Sequence, residues 1–214
     1  MLVMPGENDS GDYASPPCFL HELDSPSCSE RSNVLRWRKS ERQRLLALRL
    51  ALPQEKHDAF SNRIAARLDA IYPDLSGRGV SLYWPLRGEP DLRPWAGAIE
   101  RRGARCCLPV VVEKAAPLKF MIWHPGEKLV RGFWNIPVPP HRDEIIPDII
   151  LAPVIGYDEK NFRLGYGGGY FDRTLAALPA RPRVTGIGFS ISRIRTIYPL
   201  SHDIPMDRLV TEDN

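Results

Sequence analysis

No apolar run in this 214-residue chain approaches the roughly 20 residues that a membrane-spanning helix needs. No basic segment followed by an apolar one opens the chain, so no secretory leader is expected and the cytoplasm is the expected compartment. Cysteine is scarce, with four in all, and no C-x-x-C pair or zinc spacing occurs. Cys18 and Cys28 lie in a polar leader. Cys106 and Cys107 are adjacent in a predicted strand, which would send them to opposite faces as core fillers. A metal phosphohydrolase around His202-Asp203 would need further ligands at helical spacing, and five widely scattered histidines speak against it. A G-x-S-x-G elbow is missing, so no hydrolase nucleophile is supported. Internal repeats are missing too. Net charge is only +3, too little to point to nucleic acid, and neither nucleic acid nor membrane is an expected partner.

The charge is unevenly spread. Residues 1–33 hold six acidic residues and one arginine, leaving net +8 for the remainder. That first stretch is rich in Ser, Pro, Asp and Glu without periodicity, and reads as a disordered acidic extension. A single domain over residues 34–214 is expected to follow. Residues 34–51 read as a basic helix with Arg38, Arg42 and Arg49 on one face and Leu45, Leu48 and Leu52 on another. The basic face suits solvent, a nucleic acid or a phosphate clamp, and spacing alone favours solvent. Pro53 introduces a second, amphipathic helix over residues 54–71, with Phe60, Ile64, Leu68 and Ile71 as its stripe.

Strands are predicted over residues 79–84, 105–112, 118–123, 148–155, 183–189 and 207–212. A short helix around Leu92, Trp95 and Ile99 and another over residues 170–178 alternate with them. Residues 126–140 are proline-rich and irregular. The apolar run at 148–155 suits a sheet covered on both faces. The class is therefore α/β, with helices on both sides of a largely parallel sheet. Ligands in such sheets sit at the carboxyl ends of strands, a rim that the residues after 155, Glu89 and Asp207 are expected to reach.

The most informative stretch is Arg163-Leu164-Gly165-Tyr166-Gly167-Gly168-Gly169-Tyr170-Phe171-Asp172-Arg173. Strand, glycine loop and helix start together make an anion cradle: glycines bring main-chain N–H groups close, and a helix N-terminus adds more. The loop is no Walker A motif, because Tyr170 and Phe171 stand where Lys and Ser/Thr are required. It is no G-x-G-x-x-G fingerprint either, since position 170 is tyrosine. Asp172 and Asp207 are the candidate carboxylates for Mg²⁺, with a plain helix N-terminal role open for Asp172. Glu89, after a Pro-Leu-Arg-Gly turn, suits either a surface carboxylate or an acceptor for a ring amide and amine. Trp84, Trp123 and Trp134 suit a flat ring or the core, with Trp123 expected in the core.

These residues resemble the 5-formyltetrahydrofolate cyclo-ligase (methenyltetrahydrofolate synthetase) family. The likeness rests on Pro153-Val-Ile-Gly-Tyr-Asp158 followed by the glycine loop, and extends from about Arg38 to Glu212. The resemblance implies a three-layer α/β/α sandwich like the glucosamine-phosphate isomerase and coenzyme A transferase group. It implies ATP-dependent closure of 5-formyltetrahydrofolate to 5,10-methenyltetrahydrofolate, with Mg²⁺ and ATP as co-substrate. By the same resemblance Arg38, Lys39, Arg42 and Arg163 to Phe171 bind ATP, Trp84, Glu89 and Trp134 bind folate, Asp172 and Asp207 hold the metal, and Arg173 is catalytic. Arg38 stands where lysine is usual. Val138, Ser192, Tyr198 and Leu200 also depart from the family pattern, which leaves a paralogue acting on a different substrate as the alternative. The choice between monomer and homo-oligomer is open.

Overall fold

The computed structural model describes residues 28–213. Helix α1 covers Cys28–Leu50 and α2 covers Gln54–Ile71. Strand β1 (Gly79–Ser81) leads to α3 (Arg93–Arg101), then to β2 (Arg105–Val110) and β3 (Lys119–Ile122). A small hairpin, β4 (Val130–Arg131) and β5 (Pro137–Val138), carries a 3-10 turn at its tip. Strand β6 (Ile149–Pro153) is followed by a second hairpin, β7 (Gly156–Tyr157) and β8 (Arg163–Leu164). Helix α4 (Tyr170–Ala177), β9 (Arg183–Ile187) and β10 (Arg208–Val210) complete the order.

Six strands form one sheet in the order β10-β9-β6-β1-β2-β3. All neighbours are parallel except β2 and β3, which pair antiparallel at the edge. The apolar run predicted around 148–155 is the central β6. Its side chains alternate between two cores: Ile149 and Leu151 meet α2 and α3, while Ile150 and Ala152 meet Leu175 of α4. Each large aliphatic buried in this way contributes about 1.5–3 kcal/mol. Cys106 joins the first core and Cys107 the second, as strand alternation requires. Burial pushes the Cys106 thiol up to about 12 and Cys107 higher still, so both are inert fillers. The α/β class and the mostly parallel sheet flanked by helices therefore hold.

Two expectations do not. Helix α1 begins at Cys28, six residues before the predicted start, so residues 28–33 are helical rather than disordered. The remaining extension, residues 1–27, lies outside the described residues. Nor is the basic face of α1 turned to solvent. Arg38 and Arg49 are 5% and 2% exposed, while Leu48 is 43% exposed. Positions 38, 42, 45 and 49 form one stripe that includes Leu45, and that stripe packs inward. Leu45 meets Ile155, Leu164 and Ile197 in a third small core. Gly156 permits the approach: a Cβ there would stand 2.5 Å from Leu45. Among the described residues, no helix is long and apolar enough to cross a membrane.

Candidate active site

Three arginines from α1 donate to carbonyls of four different backbone segments, which is why they tolerate burial. Arg38 donates to the carbonyls of Ile197 and Tyr198 and to both oxygens of Asp203, the nearest at 2.6 Å. Every nitrogen of its guanidinium is thus engaged within the protein. Lysine, one compact ammonium, would not span these four acceptors. Lys39 is exposed on the outer side of the helix. Arg42 donates its Nε to Gly165 O at 2.7 Å, and its guanidinium lies 3.3 Å from where a Cβ on Gly167 would stand. Its remaining nitrogens face the glycine loop. Burial and the neighbouring Arg38 lower its pKa, a repulsion that an anion on the loop would relieve.

The loop itself is an open cradle. Gly167 and Gly169 have φ of +94° and +64°, the left-handed region that favours glycine. Among the described residues, no N–H from Gly165 to Gly169 donates to a backbone carbonyl. The first turn of α4 follows directly and adds its own unpaired N–H groups. Arg173 folds back, donating to Gly168 O at 2.6 Å while its guanidinium lies 4.8 Å from the Tyr170 ring. Its Nε is buried and has no partner among the described residues. Leu164 is core, and Phe171 packs against the second core, so these two support the cradle from below.

Arg163 pairs with Asp172 at 2.5 Å and donates to Ile204 O. Burial lowers the pKa of Arg163, opposed by Asp172. The same Asp172 oxygen, Oδ1, accepts the Ile204 N–H. Asp207 is elsewhere. It immediately precedes β10, accepts the Val184 N–H near the start of β9 at 2.7 Å, and pairs with Arg181. It therefore sits at the amino end of the sheet, not on the carboxyl rim where it was expected. Strand direction decides this: β9 and β10 are parallel, so the residue leading into β10 is held beside the beginning of β9. Among the described residues no group of three or more His, Cys, Asp or Glu could hold a metal ion.

Glu89 is 3% exposed, so the surface reading of this carboxylate fails. Oε2 accepts the Leu86 N–H at 2.9 Å and Oε1 accepts the Tyr166 hydroxyl at 3.0 Å. Burial raises its pKa, while the Leu86 N–H, the Arg49 charge and the Tyr166 hydroxyl pull the other way. Tyr166 belongs to the glycine loop, so the loop and the carboxylate form one site. Trp134 meets Tyr170, the first residue of α4. Its ring is 5.6 Å from Tyr170, edge to face, at the tip of the β4–β5 hairpin. It is 61% exposed and has φ of +50°.

A family model described as the 5-formyltetrahydrofolate cyclo-ligase family matches residues 34–212. The chain belongs to that family. It is 30% identical over 175 residues to the 5-formyltetrahydrofolate cyclo-ligase of Mycolicibacterium smegmatis, covering 78% of this chain and 89% of that protein. The Escherichia coli 5-formyltetrahydrofolate cyclo-ligase is 28% identical over 170 residues, covering 76% of this chain and 93% of that one. Among solved structures, Aquifex aeolicus 5,10-methenyltetrahydrofolate synthetase superposes with a TM-score of 0.72 and 27% identity. That match covers 83% of this chain and 90% of the other.

Within this cyclo-ligase fold, Trp84 packs beside Arg93 at the start of α3. It meets Trp123 edge to face at 6.3 Å and Arg93 lies 4.9 Å over its ring. With Asp91, Arg93, Trp123 and Glu127 it lines a cavity of about 370 Å³. The residues that depart from the family pattern are mostly packing positions. Ser192 and Leu200 are buried, and Leu200 donates its N–H to Asp203. Val138 packs against Gly132 inside the small hairpin. Two neighbours of the candidate site were not assigned to it from the sequence. Arg49 donates to Arg87 O, Val154 O and the Tyr166 hydroxyl. His57 bonds the backbone oxygen of Glu89 at 2.9 Å. Arg49 was findable, because it shares its helical stripe with the apolar Leu45.

Proposed function

We propose that this cyclo-ligase closes 5-formyltetrahydrofolate to 5,10-methenyltetrahydrofolate at the expense of ATP, releasing ADP and phosphate. The observation that carries the reading is the bond from Tyr166 to Glu89, which sets a buried carboxylate directly beside an open phosphate cradle. A carboxylate that accepts from a ring amide and amine would orient the pterin. A cradle of main-chain N–H groups would orient the triphosphate.

The chemistry suits that juxtaposition. A formamide carbon is a poor electrophile and its oxygen a poor leaving group. Transfer of the γ-phosphoryl group to the formyl oxygen breaks the bond to ADP and forms a phosphate ester of that oxygen. The neighbouring nitrogen then attacks the formyl carbon and gives up its proton to solvent or the departing phosphate, the carbon–oxygen bond breaks and inorganic phosphate departs. Both steps need positioning and charge stabilisation rather than an enzyme nucleophile. The N–H groups of Gly165 to Gly169 and the Arg42 guanidinium, beside Gly167, would take up phosphate charge. Arg173 would hold the loop through Gly168 O. Trp134, beside Tyr170, would cover the substrate ring. Lys39, exposed on α1, would reach phosphates only from the solvent side.

Mg²⁺ fits one of its two expected ligands better than the other. Asp172 Oδ2 accepts no hydrogen bond among the described residues, whereas Asp207 is fastened to Val184 N and Arg181 at the far end of the sheet. Asp172 is therefore the carboxylate that would meet a Mg²⁺ ion carried in on the nucleotide. When bound, that ion would neutralise phosphate charge.

The test is direct. Folinate, MgATP and the protein should give a rising near-ultraviolet absorbance from the methenyl product. Protein that binds MgATP but forms no product from folinate would overturn the reading.

A further inference from the structure

Arg49, Tyr166 and Glu89 form a chain of hydrogen bonds between elements far apart in sequence. Arg49 Nη2 donates to the Tyr166 hydroxyl at 2.8 Å, and the hydroxyl donates to Glu89 Oε1 at 3.0 Å. The direction is fixed by chemistry: a guanidinium has no acceptor, so the hydroxyl must accept from it and is left with its own proton for the carboxylate. Arg49 is itself clamped, with Nε on Arg87 O and Nη1 on Val154 O. The donor is thus rigid, whereas the Tyr166 residue that meets it is 46% exposed and is carried by the glycine loop. Its backbone lies between Gly165 and Gly167, in the stretch whose N–H groups stand open.

We propose that Tyr166 is a positioning residue that couples the nucleotide and folate sites, so that each ligand strengthens binding of the other. This rests on the reading of Glu89 as the pterin acceptor and of the glycine loop as the phosphate cradle. A phosphate gripping the N–H groups around Gly165 and Gly167 fixes the backbone that carries Tyr166. A fixed Tyr166 fixes its hydroxyl on Glu89. An ionised carboxylate has about four acceptor positions. Leu86 N and Tyr166 use two, so substrate donors bind beside the hydroxyl rather than displacing it. The linkage is therefore positive, and it must be reciprocal.

The experiment compares the wild type with Tyr166→Phe, which removes one oxygen and keeps the ring. Folinate binding is titrated calorimetrically with and without a non-hydrolysable ATP analogue and Mg²⁺. In the wild type the nucleotide analogue should tighten folinate binding by about fivefold or more, within the usual range for coupled sites. In Tyr166→Phe that ratio should fall towards one. A hydroxyl that is only structural would weaken both ligands and leave the ratio intact, and that result would overturn the proposal. A wild type that binds both ligands without any mutual effect would overturn it too, while sparing the function. A wild type that binds the nucleotide but not folinate would sink the functional reading and the coupling together.

Discussion

Arg163 and Asp172 close the glycine loop into a ring: their side chains meet at 2.5 Å from either end of it, shielded from bulk water. The loop is therefore tied at its ends while its N–H groups stay open. A buried pair of this kind is costly to break, because removing one partner strands the other charge. Asp172→Ala should lower the unfolding free energy by about 3 kcal/mol in urea titration. It should also abolish turnover. A stability loss below about 1 kcal/mol would mean that the pair behaves as an exposed one. Both residues stand in the same glycine-rich stretch, nine positions apart, but nothing in its spacing shows that they pair.

Glu89 gives a pH signature. Burial raises its pKa in the folded protein. Between the ordinary glutamate pKa and that raised value, the folded state holds more protons than the unfolded one. Stability from this group is therefore present below the window and falls as pH rises through it. Glu89→Gln should remove that part of the decline. On the role proposed for Glu89, activity runs the other way, since a pterin amide and amine would need the ionised carboxylate. Wild-type kcat/KM for folinate should climb with pH along a limb above the ordinary glutamate range. The glutamine variant should lose the limb and about 100-fold of kcat/KM, near the low end for removing a buried charged partner. A pH profile identical in both proteins would refute the role.

Much of the architecture was legible because it rests on local periodicity. The amphipathic α2 and the two-faced β6 obey helical and strand alternation, and their boundaries follow. The β7–β8 hairpin was not legible, since two-residue strands carry no period. In the site, the glycine loop announced itself through composition. What escaped were relationships set by the third dimension. A basic stripe usually faces water, and in α1 it faces in, because carbonyls from remote loops receive it. Asp207 looked like a partner for Asp172, and the strand order puts it at the amino end of the sheet.

Gly167 tests the cradle. At φ +94° any side chain is strained, and a Cβ would press on the Arg42 guanidinium at 3.3 Å. Gly167→Ala should cost about 1–2 kcal/mol. The effect on catalysis should be selective: KM for ATP should rise about tenfold while KM for folinate changes much less. Equal rises in both would indicate general collapse of the loop rather than damage to a phosphate site.

Arg38 and Arg42 lie one helical turn apart and should respond oppositely to truncation. Arg38 spends its whole guanidinium on Asp203 and the carbonyls of Ile197 and Tyr198. Arg38→Ala strands a shielded carboxylate and should cost about 3 kcal/mol of stability. The loss of its anchor should loosen residues 197–203. Among the described residues Arg42 has one hydrogen-bond partner, Gly165 O, and it holds its other nitrogens against the cradle. Arg42→Ala should cost only about 1 kcal/mol of stability. Its KM for ATP should rise at least tenfold, since a charge-assisted bond to phosphate is worth about 1.5–3 kcal/mol. Urea unfolding and ATP-dependent initial rates on the two variants measure both effects. If Arg38→Ala kept its stability and lost ATP affinity while Arg42→Ala did the reverse, the clamp would be Arg38 and the assignment made from this geometry would be wrong.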